Sequence, residues 1–400
     1  MKFEFQKNHP RGPFECVPLS EWQSWQWQLK NSLRRMVDFE KVYSLSADEK
    51  NGFAGSKNIF QIRSTPYYVV LGSRENSKDP IRLIQTPDFK ELESQFQQMR
   101  DPLAENKNSV TSHLVHRYAD RVLFLVTDLC SVYCRFCTRK HFTGKNQARL
   151  SEDEYSKALE YIRKHTGIRE VILSGGDPLT LSDDVLEQIF KDLRQIEHIE
   201  IIRVGSRMPT VNPFRMTTQL LNIFKKYKPV YLMTHFNHPK EITYEASQAL
   251  EHTADSGVPI FNQMVFLNGI NNHPAVVQAL SRRLLYLRVK PYYMFQCDPS
   301  LGTDHLRTSL TDSLEIQREL WGHLSGLAMA NLSVDIPHGG GKVSFVPNFL
   351  VSQNSNVWNL KGFDDIEHEY VDPFPQEIQK PTDLSDYIEE WNNLKYAKEK

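Results

Sequence analysis

Three cysteines, Cys130, Cys134 and Cys137, fall within eight residues of VTDLCSVYCRFCTRK. C-x3-C-x2-C offers one thiolate to each of three irons of a cubane cluster and leaves the fourth iron open to a small molecule. A zinc knuckle would need a second ligand pair, and no C-x2-C or H-x3-H follows at a suitable distance. Tyr133 and Phe136, between the cysteines, would line a cofactor or simply pack.

Two glycine clusters add chemistry. In Ser174-Gly175-Gly176-Asp177, adjacent glycines let the backbone approach a ligand closely and the acid could take an ammonium. A common Gly-Gly-Asp turn reads equally from those four residues alone. In VDIPHGGGKVSFVPN, Lys342 follows three glycines. A P-loop needs G-x4-G-K-[ST], which Ile336 and Val343 break. A lysine that condenses with pyridoxal phosphate fits better, because flexible glycines let it swing aside for substrate. A glycine turn before a surface lysine fits the same residues.

What must position these groups is a series of short β-branched runs: 121–127, 170–174, 199–204, 229–234, 259–267, 290–295 and 331–335. After the first crossover the runs from 170 to 290 start about 30 residues apart, the length of one βα unit, and the seventh follows a longer helix, which predicts a parallel barrel or partial barrel over 109–345. The cysteines and Gly175-Gly176 then lie at the C-terminal ends of the first two strands, the face where such barrels hold their active sites. Ser151-Glu-Asp-Glu154 is a capping box, Ser182 opens a second acidic first turn, and a longer helix is expected around 311–329. Residues 1–108 read as a helical lead-in. One amphipathic helix is expected from a Ser20 cap through Trp22, Trp25, Leu29, Leu33 and Met36, and another starting at Pro87. From 346 to 400 the period fades, which suggests a covering or oligomerising segment ending in a helix over EEWNNLKYAKEK.

Lys plus Arg at 48 against Asp plus Glu at 49 gives a net charge of −1, which speaks against nucleic-acid or membrane partners. No run of 18 apolar residues and no leader pattern appears, so a cytoplasmic protein is expected. Five cysteines, three of them clustered, suit ligation in a reducing compartment.

With EWQSWQWQLKNSLRRM, TPYYVVL, DPLAENKNS, HRYADRVLFLVTDLCSVYCRFCTRK, SGGDPL, GSRMPTV, THFNHPKEIT, NQMVFLNGIN, CDPSLGTDHLRT, HGGGK and VPNF in order, nearly the whole chain resembles the lysine 2,3-aminomutases. These are radical S-adenosylmethionine enzymes that also bind pyridoxal phosphate. The resemblance implies a partial (β/α)6-type barrel whose Cys130, Cys134 and Cys137 hold a [4Fe–4S] cluster, with Gly175, Gly176 and Asp177 near S-adenosylmethionine. It implies that Lys342 holds pyridoxal phosphate, with Arg117, Tyr118 and Arg121 at its phosphate and Gln263 among the cofactor contacts. Arg139 resembles the arginine that takes the substrate's α-carboxylate. Asp298 and Asp335 match the pair that meets lysine's distal ammonium, where glutamate-specific relatives accept a carboxylate instead. The implied reaction moves the 2-amino group of L-lysine to C3, giving β-lysine, by way of a 5′-deoxyadenosyl radical that takes hydrogen from Cβ. An external electron donor of flavodoxin or ferredoxin type and a homo-oligomer are implied as well.

Several positions depart from the family pattern: Phe136 stands where a histidine is common, Phe295 replaces a tyrosine, and His338 shortens the glycine run. No cysteine follows Cys297, and His273 stands where a neighbouring subunit's zinc cysteine would be, so no structural zinc is expected. The rivals are the same migration on arginine or on a protein-bound lysine, an Fe–S scaffold without chemistry, and a nucleic-acid-modifying radical enzyme. Intact cysteines, Lys342 and both aspartates oppose the scaffold reading, and the neutral charge opposes the last.

Overall fold

In the computed structural model, residues 3–372 are described apart from 6, 8, 56–58, 95, 97, 147 and 148, together with 384, 385, 387–389 and 392. The centre is one ten-stranded sheet in the order β1 to β10. An antiparallel lead-in of β1 (Ser109–Thr111) and β2 (Leu114–Tyr118) pairs onto β3 (Arg121–Thr127). Then β4 (Glu170–Gly175), β5 (Ile201–Gly205), β6 (Val230–Thr234), β7 (Ile260–Phe266), β8 (Val289–Gln296) and β9 (Asn331–Ile336) follow in parallel. Finally β10 (Gly341–Phe345) folds back antiparallel on β9. All seven expected strands form. The ladder does not close, so the sheet is a partial barrel.

Each parallel step is bridged by a helix: Glu152–Lys164, Asp183–Arg194, Thr218–Lys226, Tyr244–Asp255, Pro274–Tyr286 and Leu310–Leu320. Ser151 caps the first, accepting from Glu154 N, as its sequence signature requires. Alternate strand residues such as Val122, Phe124, Val171, Leu173, Ile202 and Val204 pack against Leu159, Ile189, Phe190 and Phe224 of the helices. Burying each such side chain contributes about 1.5–3 kcal/mol, so it is this packing that fixes where the strand ends point.

Four local expectations are corrected. The N-terminal amphipathic helix is broken into Leu19–Trp22 and Trp25–Lys30, because Ser24 is extended and takes Trp27 N in a new cap, while position 18 rather than Ser20 caps the first piece. The helix expected from Pro87 is only a 3-10 turn, Phe89–Leu92. The residue before a proline avoids the helical region, and Thr86 accordingly ends the preceding helix, Pro80–Gln85, at ψ 130. The helix at 311–329 stops at Leu320, where Trp321 turns extended and Gly322 takes φ +78. After β10, where no period was legible, β11 (Leu350–Asn354), β12 (Val357–Lys361) and β13 (Glu367–Val371) form an antiparallel meander. The last expected helix falls almost wholly outside the described residues. Among the described residues no helix is long and apolar enough to cross a membrane.

Candidate active site

The cysteine loop leaves β3 at the C-terminal end of the strand and is pinned from outside. Tyr133 N donates to Arg63 O at 3.0 Å and Arg135 N to Ile84 O at 2.8 Å. The fully buried Arg135 guanidinium pairs with buried Glu91, Nε donating to Oε1 at 2.8 Å, and also donates to Gln61 O at 2.9 Å. A pair this deep offsets its desolvation only when its hydrogen bonds are met, and here they are. Val132 and Phe136 sink into the apolar core of the N-terminal region. The lead-in, assigned no chemistry from sequence, therefore shapes the cysteine loop.

Burial pushes the Cys130, Cys134 and Cys137 thiols up, and for Cys130 and Cys137 a neighbouring cysteine adds to the shift. Three thiolates gathered in a buried place call for cationic compensation, which cluster iron supplies, so the donor set fits an iron–sulfur cube. Among the described residues no three His, Cys, Asp or Glu converge on a single metal-ion position. A cube, with one thiolate per iron, does not require them to.

Arg207, which the sequence reading passed over, donates Nη1 to Cys134 Sγ at 2.7 Å. Its other donors are taken by His235 O at 3.2 Å, Tyr68 Oη at 3.0 Å and Glu241 Oε1 at 2.5 Å. Glu241 also accepts from Tyr68 Oη at 2.6 Å and from the amides of Asn237 and His238 at 2.5 and 2.9 Å. The guanidinium is thus locked against one cluster sulfur. The available signal was a charged residue just past a strand's C-terminal end, in GSRMPTV. Phe136 lies 5.3 Å from the His235 ring, whose titration burial and the Arg207 charge hold down at about 3, keeping it neutral.

Gly175 and Gly176 also serve the packing of the cysteine loop. A Cβ on Gly175, at φ +128, would stand 2.0 Å from Thr127 O, and one on Gly176 would stand 2.3 Å from Leu129 O. The amides of Gly176 and Asp177 donate to those same carbonyls at 2.6 and 2.7 Å. The glycines therefore let β4 press onto the root of the cysteine loop. The buried Asp177 carboxylate accepts from Leu179 N at 3.0 Å, Ser206 Oγ at 2.7 Å and Arg207 N at 2.8 Å. It ties the end of β4 to the segment carrying Arg207.

Lys342 lies where the two ends of the open sheet meet. Its register partner across the β9–β10 hairpin is Asp335, whose Oδ2 accepts from Nζ at 2.9 Å. Its backbone N donates to Tyr118 Oη, from β2 at the other end of the sheet, at 3.2 Å. The ammonium stands 4.0 Å from the Phe295 ring centroid and 5.4 Å from that of Tyr293. Gln263 on β7 is half-buried and in register with Tyr293. Arg121 stacks 4.0 Å over Tyr118 and pairs with Asp120 at 2.7 Å, while Arg117 donates to Leu103 O. Arg117 Nε is buried with no hydrogen-bond partner. A lysine set among aromatic rings, with an orphaned guanidinium N–H on the same strand as the Tyr118 that meets Lys342 N, supplies the groups that a phosphorylated aromatic aldehyde needs.

Arg139 directs Nε at both oxygens of buried Glu105, 2.9 Å each, and Nη1 at Ser174 Oγ, 3.1 Å. Glu105 is a second residue missed from sequence. Asp298, past the end of β8, is pushed up to about 7 by burial and then by the charge of Asp335, with Lys342 and Arg307 opposing. The two aspartates therefore share one electrostatic neighbourhood around an amine, and Glu105 acts on Asp298 as well.

Residues 124–277 match the Radical SAM superfamily and 317–399 match the family described as Lysine-2,3-aminomutase. The L-lysine 2,3-aminomutase of Fusobacterium nucleatum is 44% identical over 360 residues, spanning 90% of this chain and 85% of the relative. That of Clostridium subterminale is 42% identical over 360 residues, spanning 90% and 86%. The glutamate 2,3-aminomutase of Clostridioides difficile is 40% identical over 341 residues, spanning 85% and 81%. Overall identity separates the two substrates poorly, so specificity must be argued from the site.

Proposed function

The chain belongs to the lysine 2,3-aminomutase family of radical S-adenosylmethionine isomerases, and from that premise we propose that it converts L-lysine to β-lysine. The observation carrying this reading is one amine in the field of two carboxylates: Lys342 Nζ pairs with Asp335 at 2.9 Å, and both act electrostatically on Asp298. Such a pocket stabilises a substrate's terminal ammonium and repels a terminal carboxylate. Arg139, steered by Glu105 and Ser174, would take the α-carboxylate.

When bound, the [4Fe–4S] cluster with S-adenosylmethionine supplies the radical that takes and returns one hydrogen atom, and pyridoxal phosphate supplies the π-system that carries the amino group. Cys130, Cys134 and Cys137 would hold the cluster, and Lys342 with Arg117, Tyr118 and Arg121 would hold pyridoxal phosphate. The protein's part is positioning. Arg207 fixes one sulfur, Asp177 ties two strand ends together, and the buried Phe136 helps to keep water from the cluster loop.

The test is anaerobic reconstitution with iron, sulfide, pyridoxal phosphate, S-adenosylmethionine and dithionite, followed by mass spectrometry with L-lysine, L-arginine and L-glutamate in parallel. β-Lysine that is absent from Lys342→Ala and Cys134→Ala establishes the activity. A 2,3-shift of L-arginine alone would move the assignment to that substrate, and turnover of L-glutamate would refute the reading of the aspartates.

A further inference from the structure

Five cysteines in the whole sequence, three of them in the motif, leave only Cys16 and Cys297, too few to hold a second cluster. An electron must therefore reach the cysteine loop directly from outside. Behind that loop the structure holds a half-open recess of about 200 Å³ lined by Arg100, Thr138, Lys140, His141, Lys145 and Ser300 among others, none of the lining residues being acidic. Arg100 and Lys145 are exposed at its rim. Lys140, 9% exposed, forms its base and donates Nζ to Leu301 O at 2.7 Å. Ser300, 2% exposed, lines it with an Oγ that has no protein partner, and His141 Nδ1 is likewise buried and unpartnered. Ser300 Oγ and His141 Nδ1 can each donate or accept, so they mark a lining with spare hydrogen-bonding capacity, while Arg100, Lys140 and Lys145 with no acid among the lining residues set its preference for an acidic partner. Thr138 follows Cys137 directly in sequence, and Lys140 and Cys137 lie within electrostatic reach of each other.

We propose that this recess is the docking port for an acidic one-electron carrier protein, whose surface carboxylates meet Arg100, Lys140 and Lys145 so that the electron passes in by way of Cys137. The inference rests on the reading above that the three cysteines hold a reducible cluster. One electron leaves the reduced carrier and enters the oxidised cluster. No bond is made or broken and no proton moves. Among the described residues no hydrogen bond or ion pair joins Arg100 or Lys145 to a group placed in the catalytic machinery, which leaves their charge to serve partner recognition. Rim charges of this kind set association rate and salt dependence more than they set stability.

The test uses full-length holoenzyme and follows cluster bleaching by stopped flow, driven either by reduced flavodoxin or by dithionite. Because the readout is reduction rather than product, it stands even if L-lysine proves not to be the substrate. In the double variant Arg100→Glu/Lys145→Glu, flavodoxin-driven reduction is expected to fall about tenfold or more and to lose its salt dependence, while dithionite-driven reduction stays within about twofold. Circular dichroism and cluster absorbance check that the variant is folded and loaded. An unchanged flavodoxin rate overturns the proposal, and so does an equal loss with both reductants. Inorganic phosphate, compared with sodium chloride at equal ionic strength, gives a further arm. If phosphate raises the melting temperature of the wild type but not of the variant, and flavodoxin-driven reduction is the same in both proteins, the recess is a small-anion site and the proposal fails.

Discussion

Replacing Asp335 with Asn tests whether the two aspartates act as one ammonium site. Asp298 is held at about 7 by burial first and by the Asp335 charge second. If the substrate's ammonium needs ionised Asp298, wild-type kcat/KM for L-lysine falls below about pH 7, at up to about tenfold per pH unit. Asp335→Asn removes one charge-assisted bond of the type seen at 2.9 Å to Lys342 Nζ. Such bonds contribute about 1.5–3 kcal/mol, and because Asn keeps one accepting oxygen the lower end applies, a loss of about tenfold at pH 8. The same change withdraws the negative charge that raises Asp298, so its titration moves down and the acid limb of the profile moves with it. The wild-type advantage should therefore shrink from pH 8 to pH 6. The assay is kcat/KM for β-lysine formation across that range, with cluster and pyridoxal content matched. Parallel profiles for wild type and variant would refute the reasoning, since the two carboxylates would then not share one field.

The raised Asp298 also makes a stability prediction. An acid raised above its unfolded value contributes stability below about pH 4 that is lost as pH rises through about 7, so Asp298→Asn should gain in melting temperature relative to wild type as pH goes from 5 to 8. For Arg207→Gln, losing the donor to Cys134 Sγ disfavours the more negative, reduced cluster. A loss of about 1–2 kcal/mol corresponds to a one-electron potential roughly 40–90 mV lower, read by an EPR-monitored redox titration, with Arg207→Lys restoring part of the shift. Gly176→Ala forces a Cβ against Leu129 O, which is backbone and cannot swing away, so a destabilisation of about 2 kcal/mol or more and reduced iron content after reconstitution are expected.

The strands were legible because β-branched runs recur at βα spacing, and the cysteines and Lys342 because local motifs carry their chemistry. What escaped was pairing across the chain. Arg207 meets Cys134 from 73 residues away, Glu91 meets Arg135 from 44, and Glu105 meets Arg139 from 34. Nothing in the neighbouring sequence of any of these residues announces its partner. The meander β11–β13 escaped for a different reason. Its outer strands are exposed at every position and β12 is half-buried throughout, so the two-residue alternation that marks a half-buried strand is absent. Asp177 carries a further role that its motif did not announce, since three donors of the chain itself engage it from Leu179, Ser206 and Arg207.

The polar groups around the substrate position can be understood as two pairs with interchangeable members. Arg139 pairs with the Glu105 carboxylate and Asp335 with the Lys342 ammonium, so each has as its partner the functional group it would meet on L-lysine. A buried charge left without a partner is costly, whereas exchanging one carboxylate for another, or one ammonium for another, leaves the local charge balance nearly unchanged. Lysine, with a carboxylate at one end and a side-chain ammonium at the other, can make both exchanges together. Glutamate can make only the first, and its distal carboxylate would face Asp298 and Asp335. If Asp298 and Asp335 meet the substrate as proposed, discrimination between the two substrates depends less on affinity for the favoured one than on the uncompensated charge that the other would create, which is why the proposal rests on the two aspartates rather than on overall identity to either kind of relative.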